Sequence, residues 1–264
     1  SFAKTLVKEG ISLTSTGKTF KILKTNKIKS KKIENITDFP EILDGRVKTL
    51  HPKVFAGVLS DKNKKSHTEQ LKKYKINRIE MIVINFYPFE KIVKEKKSDK
   101  DCIENIDIGG PSLVRAAAKN FASTVVVSDI KDYDIVKKQI KNFGGISLEL
   151  RKSLAIKAFD KILEYDYSIA SWFNKSSSKT NKKFLLMGNI SHKLRYGENP
   201  HQKASWYGEP EKGWSGANQL QGKELSTNNL LDLEAALSTL REFGYENTNS
   251  SPSYQKAVVV IKHT

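Results

Sequence analysis

The stretch Asn105–Asn120, NIDIGGPSLVRAAAKN, decides how the rest of the chain is read. Apolar Ile106 and Ile108 flank Asp107. Gly109, Gly110 and Pro111 follow, then Ser112 and a run of helix formers from Leu113 to Lys119. Proline suits the first helical position, where its missing N–H is not needed, so the spacing predicts a helix opening at Pro111. The two glycines permit close backbone approach and unusual dihedrals. A loop feeding a helix N-terminus offers free N–H groups and the positive end of the helix dipole, a place for a phosphate or a developing oxyanion. Asp107 stands at the mouth of that place and Lys119 near the helix end. Read locally, an ordinary glycine turn with a surface Asp and Lys accounts for the same residues.

Composition narrows the setting. The 264 residues suffice for one large domain or two ordinary ones, and 38% hydrophobic content supports a packed core. No apolar run approaches the roughly 20 residues of a membrane helix, and the opening SFAKTLVKEG lacks the apolar region of a signal peptide. The single cysteine, Cys102, excludes an intrachain disulfide and fits a reducing, cytoplasmic compartment. Five histidines are scattered without zinc-ligand spacing, so no metal site is expected. The net charge of +17 raises nucleic-acid binding, but of the 46 basic residues six are arginine. Base readers and phosphate forks favour arginine, so the lysine excess reads as surface solvation. No nucleic-acid partner and no membrane are expected. Scarcity makes Arg46, Arg115 and Arg195 conspicuous, because all three fall inside motif stretches.

Taken in order, Ser1–Glu9 reads as a helix stopped by Gly10, and Ile11–Thr14 as a short strand. Ser15–Thr19, STGKT, is a small-residue turn before a helix near Lys18. Its hydroxyls and N–H groups suit a phosphate, although simple N-capping explains them equally, and the Walker spacing is absent. Asp44–Pro52, DGRVKTLHP, gathers Arg46, Lys48, Thr49 and His51, which suggests anion recognition rather than a merely solvated turn because Val47 and Leu50 anchor it. Lys53–Leu59 reads as a strand and Ser66–Lys75 as a polar, exposed helix. Ile79–Asn85, IEMIVIN, is a near-continuous apolar run, the mark of a parallel strand buried on both faces. Ligands bind beyond the C-terminal ends of such strands, so Asn85 and Tyr87 are site candidates, with turn formation and packing as their plain alternatives. Ser98–Asp101 opens a short helix, Thr124–Val127 is a second buried strand, Asp132–Asn142 is helical, and Ser147 caps a long helix reaching about Phe173. Strands alternating with helices argue for an α/β domain with a parallel sheet.

Asn174–Lys183, NKSSSKTNKK, contains no apolar residue and reads as a linker. The division is therefore 1–183 and 184–264. The second region carries LRYGENPHQ (Leu194–Gln202), QLQGKELSTNN (Gln219–Asn229), a helix over Leu231–Phe243 and a strand over Ala257–Ile261, then Lys262 and His263. One good strand and one good helix are too few for a comfortable core, so this region reads as the start of a larger domain.

Together, DGRVKTLHP, NFYPF, NIDIGGPSLVRAAAKN, LRYGENPHQ and QLQGKELS, in that order, resemble the bifunctional purine-biosynthesis family that combines AICAR transformylase with IMP cyclohydrolase. The resemblance covers nearly the whole chain. It implies a methylglyoxal-synthase-like parallel α/β cyclohydrolase domain, followed by the beginning of a cytidine-deaminase-like α/β transformylase domain that needs no zinc. The implied chemistry is the formylation of AICAR by 10-formyltetrahydrofolate, a co-substrate, and closure of the product FAICAR to IMP with loss of water. No cofactor is implied for the closure. By resemblance, Lys48, Tyr87, Asp107 and Lys119 carry the closure. Asp107 accepts the carboxamide proton, while Lys48 and a backbone N–H near Ile108–Gly109 stabilise the formyl oxygen. Ser15, Thr16, Gly17, Thr19, Arg46, Thr49, Asn85, Ile108, Gly109 and Gly110 would hold the nucleotide. In the second region Lys262 and His263 match a Lys-His pair that stabilises charge and relays a proton, and Arg195, Tyr196 and Asn229 match AICAR-binding positions. The family's intertwined homodimer is carried over as an expectation.

The chain departs from the family pattern in places. Lys18 replaces a second glycine in the STGKT turn, Phe121 follows Lys119-Asn120 where the family has histidine, and Thr227-Asn228 replaces Tyr-Asn. The family's initial strand and phosphate loop, and most of its transformylase domain, have no counterpart here, so the resemblance implies a fragment. Two other readings bear on the same residues. A non-catalytic nucleotide- or phosphate-binding regulatory domain shares the fold class, and methylglyoxal synthase itself lacks its expected histidine and aspartate pattern here.

Overall fold

Strand β4 (Val125–Val127) is buried on both faces, and the first part of the computed structural model is built around it. Residues 1–87, 89–95, 97–175, 188–208, 213–244 and 258–262 are described. The chain divides into two compact units, Ser1–Thr180 and Asn181–Thr264. In the first unit the other strands are β1 (Thr14–Ser15), β2 (Lys31–Lys32) and β3 (Met81–Val83). Its helices are α1 (Phe2–Lys8), α2 (Gly17–Thr25), α3 (Glu34–Thr37), α4 (Pro52–Leu59), α5 (Lys65–Lys73), α6 (Phe89–Lys94), α7 (Asp99–Glu104), α8 (Gly109–Lys119), α9 (Tyr133–Phe143) and α10 (Leu148–Lys175). β1 pairs with β2 and β3 with β4, both parallel, with Met81 opposite Val125 and Val83 opposite Val127. The α/β character and parallel pairing agree with the sequence pattern.

The caps are those the local sequence supplies. Ser1 Oγ accepts from Lys4 N–H, Ser98 Oγ from Asp101 N–H at 3.2 Å, and Ser147 Oγ from Leu150 N–H at 3.2 Å. Helix α10 then presents Leu154, Ala155, Ala158, Ile162 and Tyr165 inward, an i, i+4, i+8 face that packs on α8 and β4. Leu113, Val114 and Ala116–Ala118 of α8 and Val54 and Val58 of α4 complete the main core. A second cluster joins Phe89, Ile92, Cys102 and Tyr165. Burial at this level is worth about 1.5–3 kcal/mol per large aliphatic side chain, so α8 and its loop are set on a firm base.

Several sequence expectations need correction. Lys53–Leu59 is helical, not a strand. His51 Nδ1 accepts from Lys53 N–H at 3.2 Å, Pro52 takes the first turn, and Val54, Val58 and Gly57 face inward at helical spacing. Ile11–Leu13 lies outside β1, which begins at Thr14. Ile79–Asn85 contributes only three strand residues and is half-buried: Val83 is 37% exposed, because one edge pairs with β4 and these residues also line a cleft. Helix α8 opens at Gly109, so Pro111 is its third residue. Ile108 is the N-cap residue of the helix, and the Asp107 carboxylate one position earlier accepts from Gly110 N–H in the first turn. Asn174 and Lys175 extend α10 into the expected linker, and residues 176–183 lie outside the described residues.

The second unit is described by β5 (Asn189–Leu194), β6 (Ala204–Gly208) and α11 (Thr227–Gly244). β5 and β6 form an antiparallel hairpin with an irregularity between Ile190 and His192, a pairing the sequence reading missed. Alternation along Ala204–Gly208 was its available signal. Helix α11 starts four residues before Leu231, because Ser226 caps it. Val258–Lys262 is not a strand, and Ala257 lies outside the described residues.

Candidate active site

A cleft of about 2190 Å³ runs through the first unit. Ser15, Thr16, Thr19, Arg46, Lys48, Thr49, Asn85, Tyr87, Asp107, Ile108, Gly109 and Gly110 all line it. Stretches separated by up to ninety residues in sequence thus meet on one surface. Gly17 and Lys119 are not among the lining residues. Gly17 opens α2 immediately behind them, with φ +33°. Lys119 is exposed at the last position of α8. A continuous helix rises 1.5 Å per residue, which puts Lys119 about 15 Å along the axis from Gly109. The structure does not bring it to the cleft group.

The Asp107 loop is held on three sides. Asp107 Oδ1 accepts from Gly110 N–H at 2.8 Å, so the carboxylate caps α8 where the helix dipole favours negative charge. A Cβ on Gly110 would run into the Asp107 carboxylate, so any larger residue there would have to displace it. Asp107 N–H in turn donates to the Tyr165 hydroxyl at 2.7 Å. A Cβ on Gly109 would lie 3.0 Å from Thr49 Oγ1, so this loop and the DGRVKT loop touch at Gly109 and Thr49.

The DGRVKT loop is tight. Ile42 and Val47 form an antiparallel bridge, and the turn between them places Leu43, Asp44 and Gly45 at φ +54°, +53° and +88°. Two non-glycine residues in the left-handed region cost on the order of 1–3 kcal/mol each, so the rest of the domain imposes this turn. Its cations face acids. Arg46 pairs with Glu104, its side chain remaining 65% exposed, and Lys48 Nζ lies 3.6 Å from Glu41 Oε1. The Glu41 carboxylate also abuts Gly45 and lies 3.8 Å from where a Gly17 Cβ would be, at the start of α2. Glu41 therefore occupies ground between a helix N-terminus and a lysine, where an anion is stabilised. Sequence reasoning missed Glu41, and also Lys53, which lines the cleft and pairs with Asp38, holding that carboxyl below its usual range. An acid just upstream of a basic motif, between Asp38 and Asp44, was the available signal for Glu41. Elsewhere in the cleft lining Asn85 donates to the Tyr133 hydroxyl at 3.0 Å, Tyr133 stacks on Phe2 at 4.3 Å, and Tyr87 is 51% exposed. Ser15 Oγ is buried without a hydrogen-bond partner.

In the second unit, Arg195, Tyr196 and Asn229 come together. Arg195 N–H donates to Leu225 O at 2.8 Å and Thr227 N–H to Tyr196 O at 3.2 Å, which joins the two motif stretches. The Arg195 guanidinium sits 4.8 Å from the Tyr196 ring centre. A hydrogen bond with the Ser226 side chain, then one with Arg195, holds the Tyr196 hydroxyl below its usual pKa. Asn229 Oδ1 accepts from Ser226 N–H at 3.1 Å, while Asn229 N–H donates to Ser226 Oγ at 3.3 Å. That reciprocal pair is a capping box, which makes a local structural role for Asn229 visible. Lys262 is exposed, and His263 lies outside the described residues.

Comparison with known proteins gives two adjoining family matches, whose junction falls inside the first unit rather than between the units. A family model described as MGS-like domain matches residues 1–112, and one described as AICARFT/IMPCHase bienzyme matches residues 117–264. The bifunctional purine biosynthesis protein PurH of Prochlorococcus marinus strain NATL1A is 54% identical over 264 residues, covering 99% of this chain and 51% of that protein. PurH of Synechococcus sp. strain CC9605 is 46% identical over 257 residues, 97% of this chain and 49% of that protein. The chain thus spans about half the length of the curated relatives it matches. The crystal structure of ForH superimposes with a TM-score of 0.60 at 32% identity, over 67% of this chain and 92% of that one. An MGS-like first part, parallel strand pairs and a bienzyme match across 117–264 carry one conclusion: the chain belongs to the AICARFT/IMPCHase bienzyme family.

Proposed function

We propose that the cleft of the first unit is an IMP cyclohydrolase site, closing FAICAR to IMP with loss of water. The observation that carries this reading is the meeting of the DGRVKT and NIDIGG loops, where Gly109 abuts Thr49 and both Lys48 and Asp107 line one cleft. In the reaction the carboxamide nitrogen attacks the formyl carbon, a C–N bond forms, and the former carbonyl oxygen departs as water. Asp107 accepts the proton released from the attacking nitrogen. One of its oxygens is engaged by Gly110 N–H, and a carboxylate keeps further acceptor capacity. Lys48 and the N–H groups opening α8 stabilise the developing charge on the oxygen. Tyr87 and Asn85, which line the same cleft, orient the reacting group. Ser15, Thr16, Gly17, Thr19, Arg46 and Thr49 hold the nucleotide and its phosphate, and the position taken by the Glu41 carboxylate supports an anion site there. Lys119 keeps its catalytic assignment by resemblance alone.

On the same reading, residues 1–183 form the cyclohydrolase domain and 184–264 begin the transformylase domain. Formyl transfer from 10-formyltetrahydrofolate to AICAR is then an activity of the whole protein, a cytoplasmic homodimer, with Arg195, Tyr196, Asn229, Lys262 and His263 contributing to that second site. The cyclohydrolase assignment is tested by following FAICAR conversion by absorbance with Asp107→Asn and Lys48→Ala. Each lowers kcat by about 10²–10⁴ while thermal unfolding stays within a few degrees of the parent. Parental rates in both variants sink the assignment, and tight IMP binding without turnover in the parent favours the regulatory-domain reading.

A further inference from the structure

The Asp107 carboxylate is anchored by its helix, but what fixes the Asp107 backbone is a side chain from another element. Tyr165 lies on α10, fifty-eight residues away, and is 7% exposed. Its hydroxyl accepts from Asp107 N–H at 2.7 Å and donates to Asn105 O at 3.4 Å. One hydroxyl thus uses both of its capacities on the two residues that bracket Ile106. The ring is also placed. It meets Phe86 at 5.2 Å and Phe89 edge-on at 6.4 Å, so it abuts both residues that flank the Tyr87 loop. Next to it, Asp166 pairs with Arg115 of α8, fastening α10 to the helix that Asp107 caps.

We propose that Tyr165 is a positioning residue for the cyclisation, setting the Asp107 loop and the Tyr87 loop in register through one side chain. The inference deepens the cyclohydrolase reading and rests on it. Its physical basis is that a base must lie within hydrogen-bond reach of the proton it takes, and a misplacement of about 1 Å costs on the order of 10²-fold in rate. Helix α10 is seated in the main core, so the hydroxyl adds a directional tie from that helix to a loop whose Ile106 packs against the same cluster as the Tyr165 ring. Burial, the largest influence, pushes the Tyr165 hydroxyl above its usual pKa, which keeps it protonated and able to donate to Asn105 O.

The test uses Tyr165→Phe in the full chain, which keeps the ring and removes only the hydroxyl. Amide exchange at Asp107 should rise by at least about ten-fold while the unfolding midpoint stays close to the parent. With FAICAR as substrate, kcat should fall by about ten- to a hundred-fold with KM changed by less than about three-fold. Combined with Asp107→Asn, the second substitution should add almost nothing, because both act through the same group. Ile162→Val, one turn away on the same buried face, is the structural control and lowers the midpoint without the kcat loss. Additive effects, or parental kcat with Asp107 exchange unchanged, overturn the proposal. A parent that binds IMP but does not turn FAICAR over defeats the cyclohydrolase reading, whereas raised Asp107 exchange in Tyr165→Phe still establishes the contact.

Discussion

The two units hold polar residues from distant stretches side by side, but by different means. In the first, Val58, Val114, Ala117, Val126, Val127, Val136 and Ala158 are fully buried, and the loops of the cleft hang from the elements that carry them. In the second, the buried positions among the described residues are Gly197 and Ser226, and no large apolar side chain is among them. There, Arg195, Tyr196 and Asn229 are joined by backbone hydrogen bonds and a capping box. A site hung on a core is sensitive to packing far from it. A site tied by local hydrogen bonds is sensitive to the single donors and acceptors that tie it.

The largest test of that contrast is Gly57→Ala in α4. A Cβ there would lie 2.8 Å from Asn77 O and 3.0 Å from Ile79 Cγ1, and the backbone oxygen belongs to the turn entering β3. The substitution should destabilise the first unit by about 1–3 kcal/mol in urea unfolding. Gly145→Ala, with nothing within 4 Å of its Cβ, should leave stability unchanged within about 1 kcal/mol. Equal effects at the two glycines would break the argument that tight packing positions α4.

Ser226→Ala comes next. It removes the cap of α11 and one partner of Asn229, at a cost of about 1 kcal/mol. Amide exchange should quicken in the first turn of α11 and leave α8 and α10 unmoved. A loss shared by α8 would mean that the two units do not respond separately.

The smallest effect concerns acid stability in the first unit. The Asp129 carboxyl is held down to about 2 by the Lys131 backbone N–H, with Lys157 and Lys161 adding to it against the opposing influence of burial. A depressed carboxylate pKa contributes stability above the unfolded value near 3.9 that is lost as pH falls toward 2. Asp129→Asn should therefore be less stable than the parent by about 1 kcal/mol at pH 6, with the difference vanishing near pH 2. A difference independent of pH would mean that the charge of the carboxylate is not what stabilises the fold there.

Much of the first unit was legible because its signals are local. Ser98 and Ser147 capped the helices that their neighbours announced, and the valine run of β4 proved buried on both faces. Misreadings arose where a local pattern had two solutions. Val54, Phe55, Val58 and Leu59 fit either period over so short a run, and His51-Pro52 decided for a helix through a side-chain cap. Ile79–Asn85 had the composition of a central strand, but its exposure was set by what lies alongside it, which no window of sequence contains. The hairpin of the second unit was missed because its two strands are weakly apolar and are joined by a motif read for chemistry rather than for its turn.

By itself the sequence determined the α/β class, the helix caps, the family, and the identity of the polar groups available to a site, since these depend on residue type and short spacing. Only the tertiary structure decided that Gly109 abuts Thr49, that Glu41 lies against Lys48, that Tyr165 holds the Asp107 backbone, and that Lys119 is not among the residues lining the cleft. The reason is physical. Distances between residues far apart in the chain are set by how helices of fixed rise pack on a buried strand, and packing is a property of the whole core.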